Sequence, residues 1–300
     1  MYLFSRTKYS IGFFSLLFLF SCSFMEEQVS SFPTIDTLES LQFLPGQINE
    51  SSGMFLDGGL IWNHNDSGDR PFLYAFSQGN RKLERKVLIA NSKAKDWEAV
   101  TTDNQFVYIG DIGNNSGKRR DLTIYRVSLD SLRLDQKTVP FDGKIQFEYA
   151  DQTFSKHQKS GNNFDCEAMI AMQDSLYLFS KNWGNGKTTV YRLPKKVGNH
   201  IARPVHSFDV EGLITSASYD KGSQQLCLLG YTLRNGIFSP FVWFFDDFPD
   251  RKWFEGKRQR FDLPVNTQME ALVFQDSTQL LITCERGSGS PGELYQLTVK

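Results

Sequence analysis

Residues 96–127, DWEAVTTDNQFVYIGDIGNNSGKRRDLTIYRV, carry three short apolar runs. These are Glu98-Ala-Val, Phe106-Val-Tyr-Ile-Gly110 and Ile124-Tyr-Arg-Val127, separated by Asp, Asn and Gly. Each run is too short for a helix stripe and is bounded by turn-forming residues, the pattern of consecutive strands. The same order of runs recurs along the chain. The aromatic run returns as Leu73-Tyr-Ala-Phe76, Val190-Tyr-Arg-Leu193, Val242-Trp-Phe-Phe245 and Leu294-Tyr-Gln-Leu297. Successive aromatics lie 51, 66, 52 and 52 residues apart.

The first run returns as well, at Glu50-Ser-Ser-Gly, Glu167-Ala-Met, Thr215-Ser-Ala and Glu270-Ala-Leu. Its polar residue precedes the aromatic by 24, 27, 24, 28 and 25 residues in the five copies, and Thr215 fits this offset better than Glu211. A middle strand lies between the two elements, and a fourth follows the aromatic at Lys86–Ala90, Lys144–Glu148, Pro204–Phe208 and Gln259–Leu263. The fifth copy lacks a fourth strand, whereas Leu41–Leu44 stands unpaired before the first. Four-stranded units in a ring, closed by an N-terminal strand, make a β-propeller. The expectation is an all-β chain with a single β-propeller of five blades over residues 38–300. A sixth blade hidden between Tyr125 and Tyr191 is left open. A β-sandwich would not require this period.

The chain has 300 residues, 40% of them apolar and 14% aromatic, with a net charge of −1. That composition supports a large core and excludes global disorder; it also lacks the basic excess of a nucleic-acid binder. At the N-terminus, Arg6 and Lys8 precede an apolar run, Ile11–Phe20, that ends in Leu19-Phe20-Ser21-Cys22. A largely apolar run of about ten residues matches a signal peptide and is too short to span a bilayer. The ending resembles a bacterial lipobox. Residues 1–21 are therefore expected to be a lipoprotein signal, Cys22 the lipidated residue, and 22–37 a tether. The exported monomer would be held to the cell envelope, at the outer membrane where the cell has one. Cys166, Cys227 and Cys284 then remain, and buried thiols are favoured over one disulfide plus a leftover thiol.

Inner strands of a propeller line its channel, so Glu98, Glu167, Thr215 and Glu270, with Glu50, are expected to ring one mouth. Crowded carboxylates repel and call for protons, basic partners or a cation. An all-oxygen set suits calcium. Alternatively, the repeated residue bonds backbone amides of the next blade. The second strands end in polar loops holding His64, Asp66 and Asp111. The candidate ligand-binding residues are thus His64, Asp66, Glu98, Asp111, Glu167 and Glu270, with Glu98, Asp111, Glu167 and Glu270 the candidate metal ligands. Asn63-x-Asn65-x-Ser67 has the opening spacing of an EF-hand loop but lacks its first Asp and its twelfth-position Glu. Trp97 is expected between blades. No G-x-S-x-G, P-loop, H-E-x-x-H or dinucleotide motif occurs.

Glu50-Ser-Ser-Gly, Trp62-Asn-His-Asn-Asp-Ser-Gly68, Asp96-Trp-Glu-Ala99, Tyr108-Ile-Gly-Asp-Ile-Gly-Asn114 and Ile124-Tyr-Arg-Val127 together resemble a set of exported bacterial propeller proteins. More distantly, they are similar to the SdiA-regulated and esterase-like-phytase propellers. The distinctive motifs cover residues 50–127. Ala99 and Asn114 stand where typical members carry acidic residues. The phytase side of the resemblance implies calcium-dependent phosphate-ester hydrolysis, although no basic cluster is expected at the mouth to hold a polyphosphate, Lys118-Arg119-Arg120 reading as a solvated loop. Two functions follow as expectations. One is a lipid-anchored binding module for a ligand or protein partner; the other is a calcium-dependent hydrolase of phosphoesterase type.

Overall fold

The structure is a computed structural model, and it describes residues 1–2, 32–66, 68–103, 105–153, 162–287 and 291–300. The signal, Cys22 and most of the tether lie outside the described residues. By contacts the chain divides into two units, Met1–Ser31 and Phe32–Lys300. Nothing further is described of the first beyond Met1 and Tyr2.

The second unit is built almost wholly of strands. After β1 (Ile35–Phe43), the chain runs through five successive antiparallel meanders. The first holds β2 (Ser51–Asp57), β3 (Leu60–Asn65), β4 (Phe72–Phe76) and β5 (Arg85–Ala90). The second holds β6 (Trp97–Thr102), β7 (Phe106–Asp111) and β8 (Thr123–Ser128), then α1 (Leu129–Arg133), β9 (Thr138–Pro140) and β10 (Gly143–Tyr149). The third holds β11 (Asp165–Met172), β12 (Ser175–Lys181), β13 (Lys187–Pro194) and β14 (Gly198–Asp209). The fourth holds β15 (Leu213–Asp220), β16 (Gln225–Arg234), β17 (Ile237–Asp246) and β18 (Lys257–Asp262). The last holds β19 (Met269–Phe274), β20 (Gln279–Cys284) and β21 (Glu293–Val299).

β1 pairs antiparallel with β21, with Leu38 opposite Leu297. The first strand of the unit therefore completes the last sheet. This pairing removes the edge that β21 would otherwise present. The inner strands β2, β6, β11, β15 and β19 touch in cyclic order, β19 returning to β2. The sheets are thus arranged as in a β-propeller. The core divides the same way, into five apolar clusters that each lie between one meander and the next. Trp97 is buried in the cluster between the first two, as its position in the repeat predicts.

The long interval between Tyr125 and Tyr191 has a structural cause. It contains α1 and β9, and no further meander appears in it among the described residues. Ser128 caps α1 by accepting from the Ser131 amide, as N-cap serines do. β9 then adds in parallel to β5 of the previous sheet, and β10 pairs in parallel with β14 of the next. Cys166, Cys227 and Cys284 are buried free thiols, as expected. Among the described residues no helix is long and apolar enough to cross a membrane.

Candidate functional site

Each of the five inner strands carries a break in register against its neighbour, and each break leaves one polar residue unpaired. In β6 the pairing passes from Trp97–Asp111 to Ala99–Gly110 and skips Glu98. In β11 it skips Glu167, in β15 Thr215, in β19 Glu270 and in β2 Ser52. A β-bulge re-aims the side chain of its extra residue. Here it brings five polar side chains to one end of the ring, all of them buried. The sequence spacing had chosen Glu50 for the first copy; this is corrected to Ser52. Glu50 lies outside β2, its amide bound to Asn65 Oδ1 and its carbonyl to the Asp66 amide.

The bulged residues divide by chemistry. Ser52 Oγ donates toward the Glu98 carbonyl (3.2 Å) and Glu98 Oε2 (3.1 Å), and Thr215 Oγ1 donates to the Met269 carbonyl (2.9 Å). Both hydroxyls therefore tie one inner strand to the next. Among the described residues, no backbone amide of a neighbouring sheet bonds the Glu98, Glu167 or Glu270 side chain. Glu167 Oε2 meets Lys181 Nζ at 2.5 Å, and Glu270 Oε1 accepts from Gln268 Nε2 at 2.6 Å.

Because second strands run antiparallel to first strands, their polar ends share this mouth. Lys181, Asp111 and Asn65 pair directly beside the bulges. Asp66, Asp96, Glu98, Asp165, Glu167, Glu270 and Glu285 act on one another there. Lys181 is the cation set among Glu167 and Glu270, packed against the rings of Trp183 (5.1 Å) and Tyr231 (5.0 Å). Burial pulls its ammonium down, but Glu167 and Glu270 outweigh it and hold the proton above the usual lysine range. Burial, reinforced by Asp66, raises Asp96 to about 6. Burial and the neighbouring Glu270 raise Glu285 to about 8. Glu98 is pushed well up by burial and then by Glu167.

Three of these carboxylates form a compact group: Asp66, Asp96 and Glu98 each offer an oxygen within 4.8 Å of the others. The group could hold a metal ion. Glu98 is 3% exposed and, among the described residues, accepts only from Ser52, through Oε2. Its Oε1 faces Gly113. A Cβ on that glycine would lie 2.6 Å from Glu98 Oε1 and closer still to Asp96 Oδ2. Two carboxylate oxygens thus converge on a space that only glycine leaves open.

The other expected residues are placed differently. Asp111 forms a buried ion pair with Arg119 (2.9 Å) and accepts from the Asp96 amide (3.0 Å), so it braces the group from outside. Arg119 also donates to the Gly113 carbonyl (2.9 Å) and fixes that loop. Glu167 is taken up by Lys181. His64 is fully buried and edge-on to Trp97, and burial drops it to about 4, leaving a neutral ring bound through Nδ1 to the Asn65 carbonyl. The EF-hand spacing does not make a calcium loop: Asn63 donates to Ser51, while Asn65 is consumed by Gln47, Asn49, Glu50 and Asp69. Asn114 joins two sheets, its amide donating to Asp165 Oδ1 (2.7 Å) and its side chain to the Phe164 carbonyl.

Sequence reasoning passed over Asp96, although it stands two residues before Glu98; only its neighbour Trp97 drew attention. A basic cleft beside Asp96 was also missed. It encloses about 640 Å3 and is lined by Lys95, Lys118, Arg119 and Arg120 among others. Lys95 and Arg119 both bind Asp121.

No protein-family model matches the chain, and no curated protein matches it. Solved structures that resemble it are β-propeller-like. An exo-β-1,3-galactanase from Phanerochaete chrysosporium bound to galactose superposes with a TM-score of 0.54 at 10% identity, covering 87% of this chain. The chain spans 64% of that enzyme. An exo-β-1,3-galactanase from Clostridium thermocellum gives 0.52 at 13% identity, covering 86% of this chain and 61% of the enzyme. At such identities the likeness is one of fold: the chain is built as a β-propeller.

Proposed function

We propose that this chain is a ligand-binding β-propeller of five blades whose bulge-lined mouth takes a calcium ion on Asp66, Asp96 and Glu98. The observation that carries the reading is the convergence of Asp96 Oδ2 and Glu98 Oε1 on the space beside Gly113. Carboxylate oxygens suit hard cations, and calcium accepts six to eight oxygens, so three from the protein leave positions for a ligand. The five cyclic inner strands and five core clusters support the blade count. We further propose that the protein is exported, acts as a monomer and is anchored through a lipid on Cys22. Metabolic labelling with a fatty acid, lost in Cys22→Ala, tests the anchor.

A calcium titration of EDTA-treated protein, followed by thermal melting, tests the ion. The melting temperature should rise with calcium in the wild type and stay flat in Asp96→Asn and Glu98→Gln. A wild type indifferent to calcium refutes the site. Calcium-dependent hydrolysis is the second reading. It is favoured by Glu285, which burial and the neighbouring Glu270 push up to about 8, as a general acid near neutral pH requires. Turnover of chromogenic esters and phosphoesters that vanishes in Glu285→Gln would support it.

A further inference from the structure

We propose that the ligand of this mouth is a neutral saccharide, its vicinal hydroxyls on the calcium ion and one ring face on Trp183. The proposal rests on the calcium reading above and adds the class of ligand. Trp183 starts the argument because it is out of place. Trp62, Trp97 and Trp253 are fully buried, whereas Trp183 is 40% exposed. It is also held still. Its Nε1 donates to Asp165 Oδ2 at 2.8 Å, its amide to the Lys181 carbonyl at 3.1 Å, and Lys181 Nζ lies 5.1 Å from its ring. An exposed indole fixed on three sides adds little to a core, but it offers a platform whose ordering cost is already met by folding.

That platform and the cation group share one brace. Asp165 receives Trp183 Nε1 on one oxygen and the Asn114 amide on the other, and Asn114 follows Gly113, over which Asp96 and Glu98 converge. The indole and the carboxylate group are thus joined through Asp165 and the Gly113-Asn114 backbone, which sets a ligand on the indole beside the ion.

Charge selects the kind of ligand. Glu98, Glu167, Glu270 and Glu285 act on the buried ammonium of Lys181, Asp66 and Asp165 add to the negative field on Glu98 and Glu270, and Arg119 is already paired with Asp111. One divalent ion leaves that mouth negative, which opposes an anion. An organic cation would compete with the ion for the same oxygens. A neutral polyol does neither, and its hydroxyl oxygens are the hard donors that complete a calcium shell. The C–H face of a sugar ring supplies the apolar surface that an exposed indole lacks.

Affinity electrophoresis of the mature protein through gels containing galactan, mannan or dextran, each run with calcium and with EDTA, tests the proposal. Retardation on at least one gel, present only with calcium, is expected. Trp183→Ala should weaken it at least tenfold yet keep the calcium-induced rise in melting temperature, whereas Trp183→Phe should retain most of the retardation. Asp96→Asn should lose both. No retardation on any gel, by protein whose melting temperature responds to calcium, overturns the saccharide and leaves the ion standing. Retardation that survives EDTA or Trp183→Ala overturns it too, as does a calcium-dependent response to inorganic phosphate with none to the polysaccharides. Indifference to calcium in the melt overturns both readings together.

Discussion

Replacing Lys181 by Met should convert a satisfied ion pair into a buried, unpaired carboxylate. The Lys181 and Glu167 side chains are only 4% and 6% exposed, and they meet at 2.5 Å. Methionine keeps the length and apolar stem of lysine, so packing against Trp183 and Tyr231 is largely preserved. What is lost is the charge. Glu167 must then stay ionised in the core or take up a proton, and protonation sets the upper limit of the cost. From its ordinary value of 4.5, neutralising a carboxyl at pH 7 spans about 2.5 units, or about 3 kcal/mol. At pH 5 the same step costs under about 1 kcal/mol. The loss at pH 7 agrees with the 3–5 kcal/mol typical of breaking a buried pair.

Urea unfolding of wild type, Lys181→Met and the double variant Glu167→Gln, Lys181→Met, at both pH values, measures these terms. The single variant should lose about 3 kcal/mol at pH 7 and much less at pH 5. The double variant should recover much of the loss, because the carboxylate in direct contact with Lys181 is gone and only the more distant Glu270 lacks the ammonium. A single variant that loses under about 1 kcal/mol at pH 7, or a double variant no better than the single, refutes the assignment of Lys181 as the internal counter-charge of this mouth.

Without calcium, stability should fall as pH rises. Asp96 and Glu285 hold protons in the folded state up to about 6 and about 8, above their unfolded values, so the folded state binds more protons across that window and is weakened as they leave. His64, held neutral in the folded state, opposes this fall below about pH 6.5, so the net loss should show between pH 7 and pH 9, on the order of 1 kcal/mol from Glu285, and calcium should flatten it. Melting curves across that range that are level or rise with pH would contradict the crowding of carboxylates. Gly113→Ala should push the Asp96 and Glu98 oxygens apart and remove more than half of the calcium-induced rise in melting temperature; an unchanged rise would place the ion elsewhere. Thr215→Val should cost about 1–2 kcal/mol in urea unfolding, because the Met269 carbonyl loses its donor in a buried position.

The repeat made most of the fold legible. Alternation and turn residues act locally, so the strands around Tyr74, Tyr125 and Tyr191 and the fourth strands at Lys86–Ala90 and Gln259–Leu263 fall where their residues place them. Closure by an N-terminal strand could be read from a missing partner at one end and a surplus strand at the other. The first copy was misread because Glu50, 24 residues before Tyr74, satisfies the spacing better than Ser52, 22 before it; hydrogen-bond register, which is set between strands, selects Ser52. The identity of the mouth residues was legible in Glu98, Glu167, Thr215 and Glu270.

What those residues do was decided by tertiary structure. Asp111 looked equivalent to Asp66, yet Arg119 reaches back to claim it, while Asp96 and Asp66 come from consecutive sheets to join Glu98. Lys181 and Trp183, at the end of a second strand, carry no local pattern that reveals their part in the mouth. The reason is physical. Strand formation depends on neighbours a few residues away, whereas the state of a carboxylate depends on which charges lie within a few ångströms of it, and closing the ring determines that. The sequence by itself determined that a ring would form and which side chains would line it. Only the closed ring determined which of them are paired and which remain to meet a ligand.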